Sequence, residues 1–241
     1  MKQLIFPTEY DPMGISGCVL WLPHDQFRTI LPTGHRLQMW TCDPTYWDYV
    51  THGGKKCLHH TAETTGSYLY AWSDMDRPMT AGLKQGNGCT ISLSIYGRTY
   101  AGNNPMQFFA YDVNQVSKHE SPTSNPWNSN TILLSSWTNG GVGGLNEYTN
   151  GEASVKIISP VNNTYLTNNA WNWVQWTCTA SGTATLYING TQRGTGTLTR
   201  TQWIGAAFGA LPNRQCNGYF RAYRLYDKVL TTSQLTKLRG E

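Results

Sequence analysis

The sequence predicts an all-β protein, an antiparallel two-sheet β-sandwich of the jelly-roll type with one short C-terminal helix. Three observations predict it. First, Val174, Trp176 and Cys178 alternate with Gln175, Thr177 and Thr179, and Leu186 and Ile188 alternate with Thr185 and Tyr187. A period of two places one set of side chains on each face of a half-buried strand. Second, apolar and β-branched runs recur along the chain, divided by loops rich in Gly, Asn, Pro and Ser, the spacing of a sandwich. Third, only the stretch from Thr232 to Leu238 has a helical pattern with a capping residue, Thr231 or Thr232, at its start.

In chain order, residues 1–14 form a Pro-containing arm, and residues 15–241 form a single domain, a length that one large β-domain accommodates. Ile15-Ser16-Gly17-Cys18-Val19-Leu20-Trp21-Leu22 is the first strong strand. Residues 23–80 are least regular: Trp40, Tyr46, Trp47, Tyr49, Tyr68, Tyr70 and Trp72 lie among Pro, Gly, Asp and Thr, which predicts short strands and long loops around an aromatic patch. Strands are then predicted over Cys89–Tyr96, Met106–Val113, Thr131–Trp137 and Ser154–Ile158, with a Gly-rich turn over 137–144. Trp171 to Cys178 and Thr183 to Ile188 form a hairpin around a Ser181-Gly182 tip, where Gly supplies a positive φ. Asn189-Gly190 offers a type I′ turn to a third strand, Thr191 to Thr199.

These stretches resemble the laminin-G-like, concanavalin A-like lectin/glucanase superfamily. The resemblance is carried by the Trp-led hairpin ending in Leu186-Tyr187-Ile188-Asn189-Gly190. It extends to the closing Gly218 strand, the Arg224-Leu225-Tyr226 triplet, and Leu230 ahead of the helix. It covers about the last third of the chain. Where the family often has an acidic pair in the closing strand, this chain has Arg221 and Ala222. The opening strand is similar to that of laminin-G-like proteins encoded by tailed bacteriophages, which implies a virion setting.

Charged residues are 13% of the chain, against roughly 25% in an average domain, so Thr, Ser, Asn, Gln, Gly and Tyr must cover much of the surface. The formal net charge of +4 includes no basic block beyond Lys55-Lys56, which argues against a nucleic-acid partner. No stretch reaches the length of a membrane span, so membrane insertion is not expected. The apolar run Leu4 to Phe6 is too short for a signal sequence. Synthesis in a host cytoplasm is therefore expected, with the virion as destination and an extracellular location as the alternative. The six cysteines show no close pair, and reduced, mostly buried thiols are expected.

Candidate chemistry is sparse. Glycoside hydrolysis needs two carboxyl groups across the scissile bond, and Asp74-Met75-Asp76 is the nearest arrangement, in loop-like sequence. His52, Cys57, His59 and His60 carry zinc-compatible donors without the paired spacing of a structural site. The resemblance also implies that calcium could be held, with Asp112, Glu147 or Glu152 as oxygen donors. No cofactor is otherwise called for. Binding requires less: sugar rings stack on aromatic faces while amides bond the hydroxyls. Trp127 with Asn125 and Asn128, Trp137 with Asn139, and Tyr148 with Asn146 combine these elements in predicted loops.

The expectation is a non-enzymatic virion structural protein, a capsid decoration or a tail or fibre component. It would bind another viral structural protein and host-surface glycans, in many copies or as a homo-oligomer. A free carbohydrate-binding lectin module is the first alternative, and a glycoside hydrolase of the same fold the second.

Overall fold

A computed structural model describes residues 13–22, 38–41, 47–60, 68–72, 88–97, 107–112, 131–136, 142–149, 152–156, 166–167, 169–197, 203–209 and 218–241. In chain order the strands are β1 (Cys18–Leu22), β2 (Gln38–Thr41), β3 (Trp47–His52), β4 (Lys55–His60), β5 (Tyr68–Trp72), β6 (Cys89–Gly97), β7 (Gln107–Asp112) and β8 (Thr131–Ser136). There follow β9 (Val142–Thr149), β10 (Glu152–Lys156), β11 (Ala170–Cys178), β12 (Thr183–Ile188), β13 (Thr191–Thr197), β14 (Trp203–Gly209) and β15 (Gly218–Tyr226), then the helix α1 (Thr232–Arg239).

Two antiparallel sheets result. The first has eight strands, in the order β13-β12-β11-β6-β15-β4-β3 with β1 also paired to β15; the second has seven, β10-β9-β8-β7-β14-β5-β2. Strand β15 changes neighbour along its length: Gly218 to Phe220 pair with β4, whereas Tyr223 to Tyr226 pair with β1.

The expected alternation sets the inner face of the first sheet. Val174 lies opposite Leu93 and Ile188, Trp176 opposite Ile91 and Leu186, and Cys178 opposite Cys89 and Ala184. All nine are buried, and Phe220 joins them at 3% exposure. The expected turn forms as well: Asn189 and Gly190 have φ of 50° and 83°, the two positive values a type I′ turn requires. Asn189 also caps the neighbouring strand, its Oδ1 accepting from the Trp173 N–H at 2.8 Å.

Among the described residues, helix α1 covers part of the outer face of the same sheet. Helix α1 starts at the N-cap Thr231, whose hydroxyl accepts from the Gln234 N–H while the Gln234 side chain accepts from the Thr231 N–H, a complete capping box. Its buried residues Leu235 and Leu238 pack with Ile15, Cys18, Tyr226 and Leu230 into a small second core. Gln175, fully buried, fastens the helix to the sheet. Its amide nitrogen donates to Ser92 Oγ and to the Leu235 carbonyl, both at 3.1 Å, and its oxygen accepts from Arg239 at 3.0 Å.

Three elements differ from expectation. Strand β10 lies two residues earlier than Ser154–Ile158. Residues 142–149, expected to hold a Gly-rich turn and a loop, form β9, which pairs with both β8 and β10; pairing on two sides overrides the weak strand preference of Gly143-Gly144. Strand β14, which no periodicity marked, lies between β7 and β5. Cys18, Cys57, Cys89 and Cys178 are buried and outside any disulfide; Cys42 and Cys216 lie outside the described residues.

Candidate functional site

The part of the outer face that no described residue covers lies where β3, β4, β15, β6 and β11 run side by side. Strands β3 and β4 form a hairpin through Gly53-Gly54, whose φ values of 54° and 73° again suit a type I′ turn. The hairpin tip rests on two rings: a Cβ at Gly53 would lie 3.0 Å from both Trp171 Nε1 and Tyr96 Cε2. Trp171 Nε1 donates to the His52 carbonyl at 3.2 Å.

Strand register gathers five rings there. Tyr219 stands opposite His59, and Tyr96 opposite Trp171. The His52 and His59 rings stack parallel on Tyr219, with centroids 3.7 and 4.4 Å away, so the phenol is held between two imidazoles. Tyr96 meets His52 edge-on at 4.3 Å and Trp171 at 5.4 Å. The edge-on Tyr96–Trp171 pair is of the kind that contributes about 0.5–1.5 kcal/mol beyond simple burial. Each of the five rings is only half buried. Asp48 stands at the rim, its carboxylate 3.0 Å from His59 Nδ1.

Behind the rings lie cations. Arg221 is 7% exposed, and its guanidinium carbon lies 5.8 Å from the centre of the Trp171 ring, within cation–π reach. Arg224 is fully buried, and its Nη1 donates to Glu241 Oε2 at 2.5 Å. The two arginines share one face because β15 carries a bulge: Arg221 pairs with Ser94 and Arg224 with Ser92, so Ala222 and Tyr223 together oppose one residue of β6. Ala222 has a φ of 55°, the left-handed conformation that a bulge of this kind uses. Burial pulls the Arg221 guanidinium below its ordinary pKa, and Glu241 pulls it back up.

Cys57 lies under the hairpin, fully buried, its Sγ 3.5 Å from the Val50 carbonyl. Burial pushes its thiol up to about 11, against an ordinary 9.0. The folded thiol therefore holds its proton more tightly than the unfolded one. The stabilisation this gives is complete below pH 9 and is lost as pH rises toward 11. Accordingly, Cys57 in the native protein is expected to resist iodoacetamide at pH 8, and to become labelled once urea unfolds the chain. Mass spectrometry of the labelled peptides checks this; rapid native labelling at pH 8 would contradict it.

Of the residues singled out from sequence, Trp127, Asn125, Asn128, Trp137 and Asn139 lie outside the described residues, as do Asp74 and Asp76. Tyr148 and Asn146 belong to strand β9 instead of a loop, Tyr148 paired with Thr131 and Ala153. His52 and His59 are members of the ring stack, and among the described residues no three His, Cys, Asp or Glu side chains come together as a metal site. The calcium candidates Asp112, Glu147 and Glu152 fall on strands β7, β9 and β10. The ring cluster itself was missed. Its signal was present: Trp171, Tyr96 and Tyr219 occupy the outward phase of strands whose inward phase is apolar.

No family model matches the sequence, and no curated protein matches it. Solved structures do. The binding domain of botulinum neurotoxin serotype D superposes with a TM-score of 0.64 at 14% identity, over 93% of this chain and 52% of that one. The receptor-binding domain of the C/D mosaic serotype gives 0.64 at 14% identity over 93% and 51%. A serotype D ligand-binding domain in complex with N-acetylneuraminic acid gives 0.61 at 14% identity over 93% and 51%. The chain spans about half the length of these domains, and the likeness is one of fold.

Proposed function

We propose that the chain is a non-enzymatic, lectin-like module that binds glycans through the outer-face ring cluster. The observation that carries this is the set of five half-buried rings held at the surface by strand register, with a carboxylate at their rim. Pyranose C–H faces pack on such rings, and Asp48 can accept hydrogen bonds from sugar hydroxyls. The fold likeness to structures named as a receptor-binding domain and as a ligand-binding domain, the latter in complex with N-acetylneuraminic acid, supports the same reading, as does the sequence resemblance to laminin-G-like and concanavalin A-like proteins. A glycan array probed with the whole chain tests it. Bound glycans are expected, and Trp171→Ala is expected to weaken them about tenfold, equivalent to about 1.4 kcal/mol. An array without hits would remove the proposal.

The second reading places this module on a virus particle, in contact with another structural protein. The phage-like opening strand, Ile15 to Leu22, and the charge-poor surface favour it. Many copies on one particle would convert weak single-site contacts into strong attachment. Proteomics of purified particles tests it: presence at many copies supports the reading, and absence overturns it.

A further inference from the structure

We propose that Cys89 and Cys178 form a modification site, a dithiol that closes into a disulfide between the two central strands of the first sheet in an oxidising medium. The site is separate from the ring cluster and does not depend on the glycan-binding reading.

Strands β6 and β11 pair antiparallel without a register shift, from Gly97 opposite Ala170 to Cys89 opposite Cys178. Residues directly opposite in such a pair have Cα atoms about 4.5 or 5.5 Å apart, inside the roughly 4.4–6.8 Å that a disulfide spans. Both cysteines are reduced and fully buried, on the inner face in phase with Ile91 and Trp176. The backbones approach closely here, for a Cβ at Gly88 would overlap the Cys178 carbonyl oxygen. The two sulfurs also sense each other: burial raises the Cys89 thiol well above its ordinary pKa, and Cys178 raises it further. Neither of the other two described cysteines is placed this way, since Cys57 stands opposite Val50 and Cys18 opposite Tyr226.

Access comes from the place of the pair in the ladder. Cys89 opens β6 and Cys178 closes β11, and the chain beyond Cys178 turns through the exposed Ala180 and Ser181. A strand end opens locally at far less cost than the whole fold. With the end open, one cysteine, as its thiolate, displaces glutathione from oxidised glutathione and forms a mixed disulfide. The second thiolate attacks that protein sulfur and releases the other glutathione. The two protons lost by the cysteines end on the two glutathione thiols, so the protein loses two electrons and the small disulfide gains them. In the reclosed sheet the bridge stabilises by restricting the unfolded chain, the more so because the stretch between the two cysteines is long. The same ladder holds Tyr96 opposite Trp171 at its other end, so the bridge also pins the register on which the ring cluster depends.

To test this, the whole chain is incubated with a buffer of oxidised and reduced glutathione, in urea below the unfolding midpoint, until the products no longer change. Remaining thiols are blocked with N-ethylmaleimide in concentrated urea, and the digest is read by mass spectrometry. A linked pair of peptides carrying Cys89 and Cys178, two hydrogens lighter than the separate peptides, is expected as the main product, and dithiothreitol is expected to reverse it. The unfolding equilibrium constant of the oxidised chain is expected to be at least about tenfold smaller than that of the reduced chain, and Cys89→Ala or Cys178→Ala to abolish the difference. Should neither variant fold, the comparison of oxidised with reduced wild-type chain decides alone. Cys89 and Cys178 recovered as thiols, as mixed disulfides with glutathione, or linked no more often than in the fully unfolded chain would overturn the proposal. So would an oxidised chain no more stable than the reduced one.

Discussion

Glu241→Ala is expected to destabilise the fold by about 3 kcal/mol, read as a drop in the urea midpoint with an unchanged slope. Arg224 is fully enclosed, and the Glu241 carboxylate is its charged partner at 2.5 Å. Taking that carboxylate away leaves a guanidinium in a low-dielectric setting, the circumstance in which removing one member of a buried pair costs about 3–5 kcal/mol. The Glu241 side chain is itself 16% exposed, so water can partly replace it, and the lower end of the range is expected. A double variant, Arg224→Met with Glu241→Leu, should recover most of the loss, because the desolvation cost disappears along with the attraction. A single-variant loss below about 1 kcal/mol would show that the pair behaves as a surface contact.

The second large effect is in the inner core. Trp176→Ala is expected to cost about 3–5 kcal/mol. The indole is fully buried between Ile91 and Leu186 on the neighbouring strands, and deleting it leaves a void that a strand paired on both sides cannot close. Thermal or urea denaturation followed by tryptophan fluorescence checks it, since nine other tryptophans remain as probes among the ten. A loss of about 1 kcal/mol or less would place Trp176 outside a packed interior.

Much of this interior was legible in the sequence. Val174, Trp176, Leu186 and Ile188 announced their shared face by alternation alone, and Asn189-Gly190 announced its turn. Thr231 with Gln234 carried the helix start. Local pattern reports such features because each depends on residues close in the chain. Strands β9 and β14 were not legible, since their extended form comes from neighbours on both sides and not from residues such as Gly143, Gly144 or Ala206 and Ala207.

The ring cluster was harder still. Five strands from four separated stretches of the chain supply it, and alternation shows which way a side chain points without showing which strand lies beside it. The bulge at Ala222 hid the most. In a regular strand, positions three apart face opposite ways, so Arg221 and Arg224 would be read as one inward and one outward. A single alanine at a φ of 55° turns them to the same side, and nothing in the residue type foretells it.

The exchange of neighbours along β15 bears on how the protein is made. Among the described residues the part of β15 from Arg224 onward pairs with β6 on one side and β1 on the other, so β1 waits, edge exposed, until β15 has left the ribosome. At roughly 5–20 residues per second that interval is tens of seconds at the slow end. Contacts between such distant segments also slow the final closure. Expression at reduced temperature or with added chaperone is therefore expected to raise the yield of folded material, through protection of a nascent strand whose mate among the described residues is made much later.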